Sequence, residues 1–307
     1  MHLGFNLHLP DSLTGDGGPW FAPGLLQQLA SEVEAAGFAA VSVPDHPFPP
    51  VQWVDNGGHH ALDPFVALSF LAAGSSRIRL LTNVLVLPYR NPVTTAKAIA
   101  SLDVLSGGRL IVGTAIGYLR EEFDVIGADF AARASVFEQT VVAMRDAWAS
   151  ADAPGTPAHI MLPVSTQRPH PPLWVGGNSG SARRRAVAFG DGWMPFAQSQ
   201  ASSAVTCTPA LRGPDDLARL VAELEEARTA SGRPTPLDVC FSPPRRAALH
   251  RQDGADGEMD EEVAAYARAG ATWLTLRSMA TTPDALRREL ERWAPLLARH
   301  GACGLVS

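Results

Sequence analysis

The stretch LWVGGNSGSARRRA, residues 173–186, decides the fold. It starts as a short apolar strand, turns through a glycine-rich segment and continues as the beginning of a helix. The same unit recurs along the chain, because short apolar runs rich in β-branched residues alternate with amphipathic stretches from one end to the other. This alternation is typical of a parallel sheet whose strands are connected by helices.

The pattern predicts eight strands, each followed by a helix. The strands are Leu3–Leu7, Ala39–Val43, Ile78–Val84, Leu110–Thr114, Leu173–Gly176, Gly192–Pro195, Leu237–Phe241 and Thr272–Leu276. The helices are Leu25–Ala36, Pro64–Ala73, Val93–Leu105, Ala134–Ala149, Ser181–Ala188, Asp215–Ala230, Met259–Ala269 and Pro283–Arg299. Eight such units favour a closed (β/α)8 TIM barrel over an open sheet, and we expect one barrel domain over residues 1–307.

Two connections are longer than usual for a compact domain. Residues 150–172 are rich in proline, and residues 196–213 are rich in small and polar side chains. A third irregular stretch, residues 44–63, follows the second strand. Long loops are commonly lids or binding loops, and barrel active sites are built from the loops after the strands. We therefore expect all three, including the insertions 150–172 and 196–213, at the carboxyl-terminal face of the barrel.

Composition narrows the functional classes. The net charge of −6 gives no basic surface for nucleic acid, and no apolar run is long enough for a membrane span or a targeting segment. Cys207, Cys240 and Cys303 are too far apart to suggest a disulfide framework or a zinc site. We expect a cytoplasmic protein that acts on a small molecule, with neither nucleic acid nor membrane as a partner.

The turn after the fifth strand predicts an anion site. Its glycines, Gly176 and Gly177, precede a helix whose first backbone N–H groups and dipole attract a phosphate. Asn178, Ser179 and Ser181 add side-chain donors. The run lacks a Walker sequence and the full dinucleotide fingerprint, so the pattern indicates a phosphate but not which ligand carries it.

Two strand ends carry side chains able to move protons. Asp45 and His46 end the second strand, and a histidine there can transfer a proton or bind a cofactor ring near neutral pH. The structural alternative, a histidine that only satisfies a loop carbonyl, is equally open on this pattern. Glu121 and Glu122 follow the fourth strand and are interpreted as the acidic first turn of a helix, rather than as an acid/base pair.

Several runs, in order, resemble the luciferase-like monooxygenase superfamily, and within it the oxidoreductases that depend on coenzyme F420. They are Asp45–Pro47, Gly57–Phe65, Arg77–Leu80, Leu85–Pro92, Ala100–Arg109, Gly117–Phe123 and Gly190–Trp193. The resemblance extends over residues 4–195 and is weaker afterwards. It implies a cis peptide between Asn83 and Val84. It also implies that a side chain at this bond supports a cofactor ring from behind. It also implies a homodimer.

The resemblance implies further roles. The residues it places around the cofactor are Asp45, Asn83, Val84, Gly117, Tyr118, Gly176, Gly177, Asn178 and Ser179. The implied reaction is hydride transfer to or from C5 of the deazaflavin F420, with His46 as the catalytic proton donor or acceptor. Tyr118 stands where sugar-phosphate dehydrogenases of the superfamily carry a carboxylate, so oxidation of a sugar phosphate is not expected.

Three alternatives remain open. The first keeps the fold and replaces F420 with FMN, in a monooxygenase supplied by a separate flavin reductase. The second is a metal-dependent barrel hydrolase, but His2 and His8 are six apart and His59 and His60 are adjacent, so no metal site is expected. The third is a barrel that binds such a ligand without turning over a substrate.

Overall fold

The computed structural model describes residues 3–11, 19–155, 158–200, 203, 208–233, 235–251 and 253–301. Its strands are β1 (Gly4–His8), β2 (Ala40–Val43), β3 (Arg79–Thr82), β4 (Leu85–Val86), β5 (Leu110–Ala115), β6 (Leu173–Gly176), β7 (Gly192–Met194), β8 (Asp238–Phe241) and β9 (Trp273–Arg277). Its α-helices are α1 (Leu25–Ala35), α2 (Val51–Asp55), α3 (Pro64–Ala73), α4 (Pro92–Leu105), α5 (Arg120–Ile126), α6 (Arg133–Ala149), α7 (Gly180–Phe189), α8 (Pro214–Ala230), α9 (Asp256–Arg268) and α10 (Pro283–His300). In these ranges no helix is both long and apolar enough to cross a membrane.

The strands form a closed parallel barrel. Every strand pairs in parallel with the next around the ring, and β9 pairs with β1 through the register Asn6↔Thr275. β3 and β4 are the two halves of one barrel strand, interrupted at Asn83 and Val84, and both halves pair with β5. The predicted (β/α)8 barrel is confirmed, and the third strand continues two residues beyond its expected end at Val84.

Alternate strand residues point into the barrel and fill its lower half. This inner cluster contains Trp174, Trp273, Met194, Leu81, Ile111, Cys240 and Ala40. The two tryptophan rings meet edge to face, with centroids 5.4 Å apart. The intervening residues face outward and pack against the helices in a second, larger cluster. The barrel axis is therefore a packed core and not a pore.

Two glycines make space for these rings. A Cβ at Gly4 would lie 2.3 Å from the ring of Trp273, and a Cβ at Gly192 would lie 2.4 Å from the ring of Trp174. Both tryptophans are almost fully buried. Since real Cβ atoms do not approach other atoms this closely, each strand needs a glycine where a ring crosses it.

Two short helices were not predicted from the sequence. α2 lies within the irregular stretch 44–63, and α5 follows β5. The predicted cap of α3 is confirmed, because the Asp63 carboxylate accepts hydrogen bonds from the backbone N–H groups of Phe65 and Val66, and Pro64 is the first helical residue.

The expected position of residues 150–172 was wrong. This segment joins α6 to β6, so it lies at the amino-terminal end of the barrel strands. Gln167 fixes it there, because its side chain accepts a hydrogen bond from Arg79, the first residue of β3, and donates one to the carbonyl of Leu110, the first residue of β5. The carboxylate of Asp103 binds the same glutamine. The length of this segment suggested a binding loop. However, a connection from a helix to the next strand lies at the amino-terminal face of a barrel, whatever its length. The described part of residues 196–213 follows β7, so chain order places it at the carboxyl-terminal face, where it was expected. Residues 201–202 and 204–207 lie outside the described ranges.

Substituting Gly192 tests the packing of the barrel interior. We expect Gly192→Ala to lower the free energy of unfolding by about 1–3 kcal/mol, because the added methyl group overlaps the buried ring of Trp174. The matched control is Gly257→Ala in the first turn of α9, where a Cβ meets nothing within 4 Å. Thermal unfolding followed by circular dichroism should show a lower midpoint for the first variant only. Equal midpoints for both variants would contradict this packing.

Candidate functional site

The floor of the barrel mouth forms where the third barrel strand is interrupted. The peptide between Asn83 and Val84 is cis, as the resemblance implied. Both methyl groups of Val84 lie against Gly176, where a Cβ would be 3.3 Å and 3.7 Å from them. The valine also packs on the inner cluster around the two tryptophans. Val84 and Gly176 thus form an apolar floor above the filled barrel.

Asp45 lies behind this floor and does not line the mouth. Its carboxylate accepts a hydrogen bond from the backbone N–H of Val86 at 3.0 Å and forms a salt bridge with Arg90 at 2.8 Å. The residue is 3 % exposed. Its carboxylate holds β4 and the segment after it beside the end of β2, and a contact of Asp45 with a cofactor stays an untested prediction.

His46 lies at the mouth with one ring nitrogen already in use. Its Nδ1 is 3.1 Å from Oε2 of Glu122, and its side chain is 12 % exposed. The ring of Trp53 lies 4.6 Å from the imidazole centroid, and the ring of His59 lies 5.0 Å away. The partner of His46 is thus a carboxylate and not a loop carbonyl, and its role in proton transfer stays a prediction.

Glu122 has a different role from the one that the sequence suggested. It does lie in the first turn of α5, as interpreted, but it is fully buried, whereas its neighbour Glu121 is exposed. Besides His46, its carboxylate accepts hydrogen bonds from the backbone N–H of Phe48 at 3.3 Å and from the hydroxyl of Tyr89 at 3.1 Å. Glu122 therefore connects three separate segments of the mouth.

Aromatic rings surround His46 on the solvent side. Tyr118 lies 6.3 Å from His46 and 6.5 Å from Trp53, measured between ring centroids. Burial, together with the charge of Glu122, raises the pKa of Tyr118 to about 12, so its hydroxyl is neutral and can donate a hydrogen bond. A Cβ at Gly58 would lie 2.3 Å from Trp53, so the loop chain passes directly under that indole.

A charged cluster lies on the other side of the mouth. Arg277, the last residue of β9, donates a hydrogen bond to Asp11 at 3.1 Å and lies 3.4 Å from Nε2 of His8. Arg245 donates a second hydrogen bond to the same carboxylate. Burial and the nearby arginines hold the pKa of His8 well below its usual range, and burial lowers that of His59 to about 4. Both histidines are therefore neutral at pH 7.

Two buried polar atoms at the mouth have no hydrogen-bond partner. They are Nε2 of His59 and Nε of Arg277. Other buried polar atoms elsewhere in the described residues are also unpaired, so these two show only that the mouth has hydrogen-bonding capacity left for a ligand. The described residues contain no group of three or more histidine, cysteine, aspartate or glutamate side chains arranged to hold a metal ion.

The turn after β6 uses part of its backbone and most of its side-chain groups within the protein, since the N–H of Gly177 donates a hydrogen bond to the carbonyl of Met194. The Asn178 amide donates to the carbonyls of Phe196 and Pro209 and accepts from the N–H of Phe196. The Ser179 hydroxyl caps α7 by accepting a hydrogen bond from Ala182. Both amide hydrogens of Asn178 are thus used within the protein, whereas the Ser179 hydroxyl only accepts and can still donate a hydrogen bond to a phosphate. For an anion, the turn also offers the first N–H groups of α7, and the phosphate contacts of Asn178 and Ser179 stay predictions.

The glycines of these turns are needed for two different reasons. Gly177 has a φ of 111°, in the region that favours glycine, and its backbone oxygen accepts a hydrogen bond from the indole of Trp193. Gly117 also has a positive φ, and a Cβ there would lie 2.7 Å from Val86 and 2.8 Å from Phe123. Its small size is thus explained by packing within the chain, and Tyr118 beside it is the residue that reaches the mouth.

Sequence reasoning missed four residues of the mouth: His8, Asp11, Glu122 and Arg277. His8 and Arg277 end β1 and β9, so the rule that barrel sites lie at strand ends could have identified both. The partnership of Glu122 with His46 spans 76 positions in the chain, and no local pattern reveals it.

Comparison with known proteins agrees with this geometry. The family model for luciferase-like monooxygenase matches residues 5–256. An uncharacterized protein of Mycobacterium tuberculosis is 28% identical over 231 residues, which cover 69% of this chain and 74% of that protein. The F420-dependent hydroxymycolic acid dehydrogenase of the same species is 29% identical over 177 residues, covering 55% of this chain and 48% of that enzyme.

A flavin enzyme is similar to about the same degree. The oxygenase component of a flavin-dependent trigonelline monooxygenase from Acinetobacter baylyi is 28% identical over 147 residues, covering 44% of this chain and 41% of that protein. The crystal structure of monooxygenase RslO1 from Streptomyces bottropensis shares the fold, with a TM-score of 0.68, 23% identity, and coverage of 97% and 98%. Since the family model spans well over half of the chain, this protein belongs to the luciferase-like monooxygenase family.

Proposed function

We propose that this protein is a coenzyme F420-dependent oxidoreductase that transfers a hydride between C5 of the deazaflavin and a small organic substrate. The observation that carries the proposal is the apolar floor of Val84 and Gly176, which continues directly into the open turn before α7. A planar ring on this floor would have its phosphate tail at the helix N-terminus. The loop of His46 follows β2, the strand beside the interrupted one.

The residues present fit a tricyclic cofactor. Because Gly176 has no side chain, it does not cover the methyl groups of Val84, and a flat ring can lie on them. The first backbone N–H groups of α7 could bind an anion. The unpaired Nε2 of His59 is a further polar atom that a ligand at the mouth could satisfy. We propose that Val84, Gly176 and Gly177 hold the cofactor, that Asn83 and Tyr118 flank its ring, and that the backbone of Asn178 and Ser179 binds its phosphate.

The bound cofactor would supply the hydride chemistry, and the chain supplies position, a dry surface and a proton. His46 is the proton donor or acceptor in this proposal, because its Nε2 is not used by Glu122 and its ring lies among the aromatic side chains of the mouth. The neutral hydroxyl of Tyr118 is placed to hydrogen-bond a substrate oxygen. Trp53 and Tyr118 cover the mouth with apolar surface, which keeps water from the reacting groups.

A flavin-dependent monooxygenase is the second candidate. The similarity to the flavin-dependent oxygenase component covers a smaller part of this chain than the similarity to the F420-dependent dehydrogenase, at nearly equal identity. In that case FMN would occupy the same floor, and a separate reductase would be a partner of this chain. The floor and the turn before α7 serve either ring, so the two candidates must be separated by binding.

Titration with three ligands tests the cofactor. We expect F420 to bind at least about tenfold more tightly than FMN, and riboflavin to bind about tenfold more weakly than FMN because it lacks the phosphate for the turn before α7. Changes in ligand absorbance and fluorescence give the three dissociation constants. Tighter binding of FMN than of F420 would favour the monooxygenase. Equal binding of riboflavin and FMN would place the phosphate elsewhere.

Substitution of His46 tests its role in proton transfer. We expect His46→Gln to lower kcat at least about tenfold while leaving the dissociation constant of the cofactor unchanged, because glutamine keeps hydrogen bonds but cannot exchange a proton. The matched control is His60→Gln, since His60 is exposed in the same loop. The readout is the absorbance of oxidised F420 during reaction with a panel of ketones, aldehydes and alcohols. Unchanged kcat in the first variant would remove His46 from proton transfer.

We also propose that the protein is a homodimer formed through α3. Apart from the exposed Ser69, this helix is apolar: Ala67, Leu68 and Leu71 are buried within the chain, whereas Val66 and Phe70 are 58 % and 49 % exposed. The two exposed apolar residues are one turn apart and lie on the same outer face. Apolar helix faces are normally buried, and a second copy of the same face would bury this one.

The α3 face gives a direct test of the dimer. Phe70→Glu should convert the dimer to a monomer, because a carboxylate without a partner is costly inside an interface. Val142→Glu on α6, where the valine is also 49 % exposed, is the matched control and should remain dimeric. Light scattering coupled to size exclusion gives the mass of each variant. A monomeric parent protein, or a Phe70→Glu variant that stays dimeric, would contradict the proposal.

A further inference from the structure

We propose that Glu122 is a positioning residue that fixes the tautomer and orientation of the His46 ring. This inference rests on the proposed function, since it gives His46 a proton to transfer. The four groups that meet are the Glu122 carboxylate, Nδ1 of His46, the hydroxyl of Tyr89 and the backbone N–H of Phe48. Glu122 is 0 % exposed, so bulk solvent does not reach its oxygens.

The donors around the carboxylate determine which nitrogen of His46 carries the proton. An ionised carboxylate only accepts hydrogen bonds, and the N–H of Phe48 only donates. Burial and the charge of Glu122 raise the pKa of Tyr89, so its hydroxyl also remains a donor. Nδ1 of His46, 3.1 Å from Oε2, must therefore carry a hydrogen as well. In the neutral ring this leaves the lone pair on Nε2, the nitrogen that Glu122 does not contact.

The other groups around His46 do not compete for this role. His59 and Trp53 come from the loop after β2, and Tyr118 comes from the loop after β5. His59 stays neutral across the working range because its pKa is about 4, and Tyr118 stays neutral because its pKa is about 12. The indole of Trp53 carries no charge. Glu122 is thus the charged group in hydrogen-bond contact with the imidazole.

Two consequences distinguish positioning from a purely structural role. First, neutral His46 should exist as one tautomer, with hydrogen on Nδ1, even without cofactor or substrate. Second, a fixed imidazole matters in the chemical step, so removing the carboxylate should lower kcat much more than it changes KM.

The first experiment reads the tautomer directly. In protein labelled with 15N-histidine, long-range proton–nitrogen correlation spectra separate protonated from unprotonated ring nitrogens, and His46→Gln identifies the signals of His46. We expect protonated Nδ1 in the parent protein and in Glu121→Gln, its exposed neighbour in the same helical turn, and a mixture of tautomers in Glu122→Gln. Tyr89→Phe should keep protonated Nδ1, because the carboxylate remains. A parent protein with hydrogen on Nε2, or no change in Glu122→Gln, overturns the proposal.

The second experiment measures the effect of the charge. In Glu122→Gln we expect kcat to fall about tenfold and KM to change less than about twofold, because the imidazole loses its fixed tautomer in the chemical step. Glu122→Asp, which keeps the carboxylate, should recover most of kcat. Equal losses in kcat and in folded protein, with no change of tautomer, would leave Glu122 a structural residue and overturn the proposal. The spectra need no turnover, so they give an answer even where the protein fails to use F420.

Discussion

Everything at the mouth depends on how the barrel below it is filled. Trp174 and Trp273 occupy the axis, and they fit because Gly4 and Gly192 have no side chains where the rings cross the strands. Had smaller residues filled these positions, a ligand could enter the barrel axis. With the axis closed, the next layer upward is a floor, and a flat ligand is the shape that it can support.

Above this floor, the loops depend on one buried carboxylate. The segments that follow β2, β4 and β5 are separate in sequence, and Glu122 binds donors from the first two of them: His46 and the N–H of Phe48 after β2, and Tyr89 after β4. A buried charge is tolerated only where hydrogen bonds replace its lost water, so these contacts are needed for the fold as well. The same contacts determine which face of the imidazole meets the mouth. Stability and function at this site therefore share the same atoms.

The sequence predicted what depends on local periodicity, and it failed where distant segments decide. Barrel strands and most helices follow from alternation of apolar and polar residues, and the cap at Asp63 follows from its own neighbours. The glycine-rich turn was found, but the amide of Asn178 is used by residues 18 and 31 positions later, which no local pattern shows. The segment 150–172 was misplaced because its length was weighed above its position between a helix and the next strand. The cis peptide at Asn83 followed only from resemblance.

At the mouth, the residues of the floor are separate from the residues of the surrounding charged pairs. This separation explains how one barrel can bind different redox cofactors within a family. In the proposed function, the floor of Val84 and Gly176 and the turn before α7 would recognise shape and a phosphate, which deazaflavins and flavins share. Two charged pairs lie around this floor, His46 with Glu122 on one side and Arg277 with Asp11 on the other. The first pair can exchange a proton, whereas the second presents charge beside neutral histidines. Substrate choice should therefore be determined by loop residues that can change without altering the barrel or the ring beneath them.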